Sequence, residues 1–327
     1  MNNNANGRSG ARGEREHRQK LTLTAIAVTF TLLLLIFAIL LTVNVVLAIR
    51  DRASGNELPN DDTDNQEQQP DEPDEPVYQT VTLAPSAITQ GDLILVNSSH
   101  VYTFPTTNSH LVNIYHSQLQ AKTYGEYFLV KDGSIMMDLD AYGAMTKMLT
   151  AFAEQSGLPY VQVSDAYRSS EQQAAKNNST KPGYSDHHTG LCMALNVHKG
   201  GKTYELSSDE AYNWIYDNCY KYGFVVRYPA GKEAQTGVSN YTECFRYVGA
   251  AHAYVMMMSN WCLEEYVANI RAYTQASPMK VVMDGASYDI FYVAASGAET
   301  MISLPEGANY TISGDNVGGF IVTVKYS

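Results

Sequence analysis

The spacing of apolar and polar residues changes character along the chain of 327 residues. Residues 21–49 form a run of 29 residues without a charge, which exceeds the roughly 20 apolar residues that a helix needs to cross a bilayer. We therefore predict a single transmembrane helix over 21–49. The next residues, 50–77, are rich in Asp, Glu and Pro and contain few apolar side chains. That composition is typical of an extended, disordered linker.

A regular pattern of apolar residues begins near residue 138. Five apolar residues recur there at helical spacing, namely Ala141, Met145, Met148, Leu149 and Phe152. They predict a helix that ends before Gly157. The capping box Ser207-x-x-Glu210 predicts a second helix, and we expect a third over about 250–273. With short strand-like runs such as LILVN and PYVQVSD, these helices predict an α+β domain over 78–276.

Beyond Pro278 the pattern changes to short runs of β-forming residues. The runs PMKVVM, YDIFYVAA, ETMIS, NYTIS and GFIVTVKY are separated by turn-forming pairs such as Asp-Gly and Ser-Gly. Runs of this length between such turns are typical of antiparallel strands. We therefore predict a small all-β appendage over 277–327.

The formal charge of −12 is distributed unevenly along the chain. Residues 1–20 hold five basic side chains, whereas the linker after the apolar run is strongly acidic. This bias predicts a single-pass membrane protein whose residues 1–20 form a cytoplasmic tail and whose folded part is extracellular. Residues 77–327 contain 22 acidic and 15 basic side chains. Because they show no basic stripe interleaved with aromatic residues, we do not expect nucleic-acid binding.

Six fragments follow one another in an informative order. They are LVN at 95–97, DAYRSSEQQ at 165–173, PGYSDHHTGL at 182–191, YGFVVRYPAGKEAQTG at 222–237, FRYVG at 245–249 and CLEEY at 262–266. Together they resemble the zinc D-alanyl-D-alanine carboxypeptidases of the vancomycin-resistance type, which are relatives of the lysostaphin and Hedgehog metal-site fold. The resemblance covers about residues 91–274. It implies a D,D-peptidase fold and a role in the context of cell-wall peptidoglycan.

Two motifs of that family supply its zinc ligands and general base, but this chain departs from both. The pattern S-x-H-x-x-G-x-x-x-D supplies a His and an Asp, and E-x-W-H before F-R-Y-V-G supplies the base Glu and a second His. His187 keeps the first ligand position, whereas Ala194 stands where the Asp is expected. Cys244 replaces the second His and Tyr241 replaces the Glu. Glu243 would serve instead only if a bulge moved it to the face of residue 241.

The resemblance therefore implies a degenerate metal site, with two of three ligands and the base replaced. We assign no catalytic residue and expect no cofactor. Cys192 lies on the same strand face as Ala194, so three alternatives stay open for Cys192 and Cys244. They bind zinc together with His187, they form a disulfide, or they are free thiols.

The residues that the family uses to hold substrate are retained. Arg168 and Gln173 match its Y-R-S-x-x-x-Q pattern, in which the Arg faces the substrate carboxylate or the developing oxyanion. Ser185 and Tyr228 are expected to line the same cleft. The alternative for Arg168 is a purely structural, ion-paired role. His188 is expected to face solvent or a neighbouring carbonyl group.

Three functions are consistent with these residues. The first is a pseudopeptidase that binds peptidoglycan stem peptides or a cell-surface protein. The second is an active D-alanyl-D-alanine carboxypeptidase with an altered His/Cys zinc site, which must deprotonate water without a Glu at position 241. The third is a structural interaction scaffold at the cell surface. We favour the first, because a Tyr has an unperturbed pKa near 10 and is a poor base at neutral pH.

Overall fold

The computed structural model describes residues 77–176, 178, 180–239 and 241–326. The predicted cytoplasmic tail, the predicted transmembrane helix and nearly all of the acidic linker lie outside these residues. Within the described part of the chain, no helix is both long and apolar enough to cross a bilayer.

Helices and strands alternate along the described chain as far as residue 272, and the elements that follow are all strands. The described α-helices are α1 (Ile114–Ala121), α2 (Leu139–Ser156), α3 (Ser170–Ala175), α4 (Asn213–Asn218), α5 (Glu233–Thr236), α6 (Ala250–Ser259) and α7 (Leu263–Asn269). The first strands are β1 (Tyr78–Leu83), β2 (Leu111–Asn113), β3 (Leu129–Val130), β4 (Met136–Asp138), β5 (Val161–Asp165), β6 (Cys192–Lys199), β7 (Lys202–Glu205), β8 (Phe224–Tyr228) and β9 (Tyr241–Tyr247). The last strands are β10 (Met279–Met283), β11 (Ala286–Ala294), β12 (Thr300–Pro305), β13 (Asn309–Gly314) and β14 (Gly319–Tyr326).

The central sheet has the strand order β3-β5-β6-β9-β8, and β7 pairs with β6. Strands β3 and β5 are parallel, and the other pairs in this sheet are antiparallel. Helix α2 packs on it through the predicted apolar stripe, whose Met145, Met148 and Leu149 are fully buried. The carboxylate of Asp138 caps the helix by accepting bonds from the backbone of Asp140 and Ala141. The predicted α+β fold is therefore confirmed.

The other two helix predictions were wrong in detail. Ser207 does not cap a helix, because its hydroxyl donates to the Glu243 carboxylate at 2.7 Å, and α4 begins only at Asn213. The expected helix over 250–273 is divided into α6 and α7. Asn260 ends α6 in the left-handed region with φ of 52°. The Glu265 side chain then accepts a bond from the backbone of Cys262 and begins α7.

The β-rich segment forms the four-stranded antiparallel sheet β10-β11-β14-β13. Its remaining strand, β12, pairs instead with β1, which the sequence assigned to the preceding domain. The register pairs Tyr78 with Pro305 and Leu83 with Thr300. A pairing between strands so far apart in the sequence leaves no local pattern that predicts it. The first strand therefore contributes to the appendage, and the domain boundary between residues 276 and 277 stays a prediction.

The appendage packs against α6 and α7 through buried side chains of β10, β11 and β14. Val281, Ile290 and Ile321 join the apolar cluster of these helices. His252 of α6 lies in this contact, hydrogen-bonded to the Tyr266 hydroxyl at 2.6 Å and to the Thr323 hydroxyl at 3.0 Å. The imidazole therefore joins α6, α7 and β14 in a site closed to water.

Burial of this imidazole predicts a loss of stability in acid. It lowers the pKa of His252 from 6.5 to about 4. As the pH falls below 6.5, His252 is protonated in the unfolded chain but stays neutral in the folded chain until about pH 4. The free energy of unfolding should fall across this window, by about 3 kcal/mol in total.

Denaturant unfolding of the wild type and of His252→Gln between pH 7 and 4 measures this term. The glutamine side chain keeps hydrogen-bonding capacity but does not titrate, so the two curves should diverge as the pH falls. Parallel curves would show that His252 is not the group responsible.

Candidate active-site cleft

A cleft of about 910 Å³ opens beside the ends of β8 and β9. Four of the residues expected from the sequence to form the site line it, and Tyr241 joins them. The five are Arg168, Ser185, His187, Tyr228 and Tyr241. Gln173 lies behind Arg168 and is 1% exposed. Cys192, Ala194 and Cys244 are buried within β6 and β9 next to this cleft.

His187 lies on a single helical turn, Asp186–Thr189, that leads into β6. Its Nδ1 is 2.6 Å from the Ala166 carbonyl oxygen, so Nδ1 donates the proton. The other ring nitrogen, Nε2, is then directed at the Cys244 sulfur, 3.9 Å away. Gly190 ends the turn with φ of 75°, and a Cβ there would lie 2.7 Å from the Leu111 side chain. The glycine of this motif is therefore required by close packing.

Strands β6 and β9 bring the changed metal positions together. Ala194 lies directly opposite Cys244, so a methyl group takes the place where the resemblance predicts a carboxylate. The pairing of β8 and β9 shifts register between Val226 and Tyr228. The shift places Tyr241 in the cleft, where its ring stacks on Tyr228 at a centroid distance of 6.3 Å.

Glu243 does not take the place of the general base. Its carboxylate accepts bonds from the hydroxyls of Ser207 and Thr242 and is not among the cleft-lining groups that the structure describes. Strand β9 does contain a bulge of the kind that Glu243 would need in order to act as the base, but this bulge brings Tyr241 to the cleft instead.

The four cysteines of the chain are free and buried. Cys192 lies opposite Arg246 and Cys244 lies opposite Ala194, so the two cysteines are diagonal neighbours on adjacent strands. Of the three alternatives, the disulfide is therefore absent from the structure.

The two thiols have opposite acidities. The neighbouring Cys192 thiol and His187 lower the pKa of Cys244 to about 6 despite its burial. Burial and the contact with Cys244 raise the pKa of Cys192.

The donor set does not fit a zinc site of the family type. Zinc in catalytic sites takes three protein ligands and one open position. His187 and Cys244 offer two donor atoms, and Ala194 offers none. Among the residues that the structure describes, no group of three or more His, Cys, Asp and Glu side chains is arranged to hold a metal ion.

Arg168 has the ion-paired role considered for it, and it also lines the cleft. Asp165 Oδ2 accepts bonds from its Nε at 3.0 Å and its Nη2 at 2.8 Å, and Gln173 Oε1 accepts one from Nη1 at 2.9 Å. A guanidinium has five N–H groups, so two remain. Arg168 therefore lines the cleft with two N–H groups that no described residue accepts.

The group that holds the site together was missed in the sequence. Asp186 is 1% exposed and forms ion pairs with both Arg227 and Arg246. Arg227 also pairs with Glu264 at 2.8 Å. Burial alone would raise the pKa of Asp186, but the two guanidinium groups hold it below its usual range. The available signal was an Arg within each of the apolar runs GFVVRY and ECFRYV.

His188 is also buried. Of the two surroundings expected for it, solvent or a neighbouring carbonyl group, it has the second. Its Nδ1 donates to the Arg168 carbonyl oxygen at 2.7 Å, and its Nε2 accepts from the Gly183 backbone at 2.9 Å. The expectation that it faces solvent was wrong. The imidazole fixes the backbone on which Arg168 is presented to the cleft.

Comparison with known proteins gives consistent relatives. Residues 134–250 match the family model described as VanY, D-alanyl-D-alanine carboxypeptidase. A D-alanyl-D-alanine carboxypeptidase of Enterococcus faecium is 29% identical over 252 residues, which cover 75% of this chain and 79% of that protein. The putative carboxypeptidase YodJ of Bacillus subtilis (strain 168) is 38% identical over 103 residues, 30% of this chain and 36% of its own.

A solved structure has the same fold. It is the vancomycin-resistance D,D-dipeptidase VanXYg in complex with a D-Ala-D-Ala phosphinate analog. It superposes with a TM-score of 0.67 at 27% identity, over 76% of this chain and 100% of that chain.

The buried ion network predicts a large cost for removing its central charge. Asp186→Asn leaves Arg227 and Arg246 in the interior without their shared carboxylate, and breaking such a pair costs about 3 kcal/mol or more. Denaturant unfolding measures the loss. Asp217→Asn, at an exposed position of α4, is the matched control and should change stability by less than about 0.5 kcal/mol. Equal stabilities of the two variants would contradict the assignment.

Proposed function

Because residues 134–250 belong to the VanY family of D-alanyl-D-alanine carboxypeptidases, we propose that this chain binds peptides ending in D-Ala-D-Ala without hydrolysing them. The observation that carries the proposal is the contrast between the two sides of the cleft. The wall with Arg168 and Tyr228 keeps its hydrogen-bond donors, whereas the ligand and base positions hold Ala194, Cys244 and Tyr241.

The changed positions support a loss of the family's hydrolysis. A zinc ion supplies an acidified water in such sites, and a carboxylate accepts its proton. Here His187 and Cys244 are the only described donors at the three ligand positions. Burial raises the pKa of Tyr241 above its usual value, so its phenol is neutral and is not a base near pH 7.

The retained wall supports carboxylate binding. Arg168 has two N–H groups that described residues do not use, and a guanidinium binds carboxylate with charge-assisted bonds. Burial also raises the pKa of Tyr228, so its hydroxyl keeps its proton and can donate. The Ser185 hydroxyl lines the same cleft. These donors suit the terminal carboxylate and the last carbonyl group of a peptide.

We also propose that the domain acts outside the cell, held at the membrane by residues 21–49. The support is the uncharged run of 29 residues and the basic side chains that precede it. The D-Ala-D-Ala ends of peptidoglycan stem peptides would then lie on the same side of the membrane as the cleft.

The direct test is calorimetric titration of the full-length chain with N-acetyl-Gln-D-Ala-D-Ala, alongside an assay for released D-Ala. We expect saturable binding and no release. Arg168→Gln should weaken binding about tenfold or more, since a hydrogen bond to a charged group is worth roughly 1.5 to 3 kcal/mol. Arg168→Lys keeps the charge and should retain part of the affinity.

The matched ligand control is N-acetyl-Gln-L-Ala-L-Ala, which should bind more weakly. Release of D-Ala by the wild type would overturn the loss of hydrolysis. A failure to bind either peptide would favour the scaffold role instead.

Restoring the missing donors gives a second, independent prediction. The triple variant Ala194→Asp, Tyr241→Glu, Cys244→His should bind about one zinc ion per chain, because it completes the His, Asp and His set with its base. It should also release D-Ala from the peptide. Metal analysis after dialysis measures the first outcome.

The same triple variant carrying His187→Ala is the control, and it should bind no zinc. Stoichiometric zinc in the wild type that disappears in Cys244→Ser would instead establish the altered His/Cys zinc site.

A further inference from the structure

We infer that the cleft has a subsite for a second carboxylate, formed by Lys181 and filled by an acidic side chain immediately before the D-Ala-D-Ala pair. This inference rests on the proposed peptide binding and names its substrate class more narrowly. The subsite is defined by the charge of Lys181, which is not part of the retained family motifs.

The charges around the cleft are one-sided. Among its described lining residues, three are cationic, Arg168, Lys176 and Lys181, and none is Asp or Glu. Residues 77–327 as a whole contain 22 acidic and 15 basic side chains. A cationic cleft in an acidic domain attracts anionic ligands and repels cationic ones.

One carboxylate partly neutralises two of the three cations. Asp165 Oδ2 accepts bonds from Arg168 at 2.8 Å and from Lys176 Nζ at 2.6 Å. Lys181 forms no ion pair with any residue that the structure describes. After a peptide terminus has bound at Arg168, Lys181 is therefore the cation still available for an anion.

A buried amide links the Arg168 guanidinium to the backbone beside Lys181. Gln173 accepts from Arg168 Nη1 at 2.9 Å and donates from its Nε2 to the Thr180 carbonyl oxygen at 2.9 Å. One amide between two such bonds holds the guanidinium within about 8 Å of the backbone next to Lys181. An extended peptide advances roughly 3.3 Å per residue. The third residue from the carboxyl end then lies beside the backbone that carries Lys181, and the proposed acidic group belongs to that residue.

The test uses the full-length chain and three peptides, N-acetyl-X-D-Ala-D-Ala with X as Glu, Gln or Lys. We expect the Glu peptide to bind about two- to fivefold more tightly than the Gln peptide, the range of an exposed ion pair. The Lys peptide should bind most weakly. The preference for Glu should shrink in high salt, because exposed charges are screened.

Lys181→Gln should remove the preference for Glu over Gln. Lys202→Gln, which neutralises an exposed lysine of β7 outside the cleft lining, is the matched control and should retain it. Equal affinity of the wild type for the Glu and Gln peptides would overturn the subsite and leave the proposed function intact. Absence of binding for all three peptides would overturn the proposed function itself.

Discussion

The buried carboxylate of Asp186 between Arg227 and Arg246 is the contact on which the rest of the site depends. Each of these ions costs several kcal/mol to remove from water, and only close pairing offsets that cost. The turn that presents His187, the strands β8 and β9, and α7 through Glu264 can therefore meet in one arrangement only. This ion network therefore fixes the shape of the site.

This explains how the cleft survives the replacement of its metal positions. Ala194 and Cys244 lie on paired strands whose backbone bonds do not depend on the side chains. Gly190 fixes the turn by close packing, and Arg168 is oriented by bonds to its own neighbours. A structure supported in this way can exchange metal ligands for a methyl group and a thiol while its binding wall persists. The loss of hydrolysis that we propose rests on Tyr241, a neutral phenol at the position where the resemblance predicts a carboxylate.

Residues 92–97 connect the appendage to the cleft through hydrogen bonds on both sides. On one side, this segment is bonded to the appendage, where the Ser313 hydroxyl accepts from its backbone at 2.9 Å. On the other side, Arg246 and Arg227 donate to its carbonyl groups. The segment ends at Asn97, which lines the cleft and donates to Glu264 at 3.3 Å. The β-rich part of the chain is thus bonded to a wall of the cleft.

The sequence by itself determined what depends on near neighbours. Helical spacing between Asp138 and Gly157 identified α2, because that periodicity is local. The resemblance to the D-alanyl-D-alanine carboxypeptidases implied that Arg168 and His187 line one cleft. Only the tertiary structure decided the rest. The pairing of β1 with β12 and the choice of Tyr241 over Glu243 depend on strand register, and the buried ion pairs join residues far apart in sequence. Such contacts depend on which distant segments pack together and neutralise each other's charges, and no local sequence pattern contains that information.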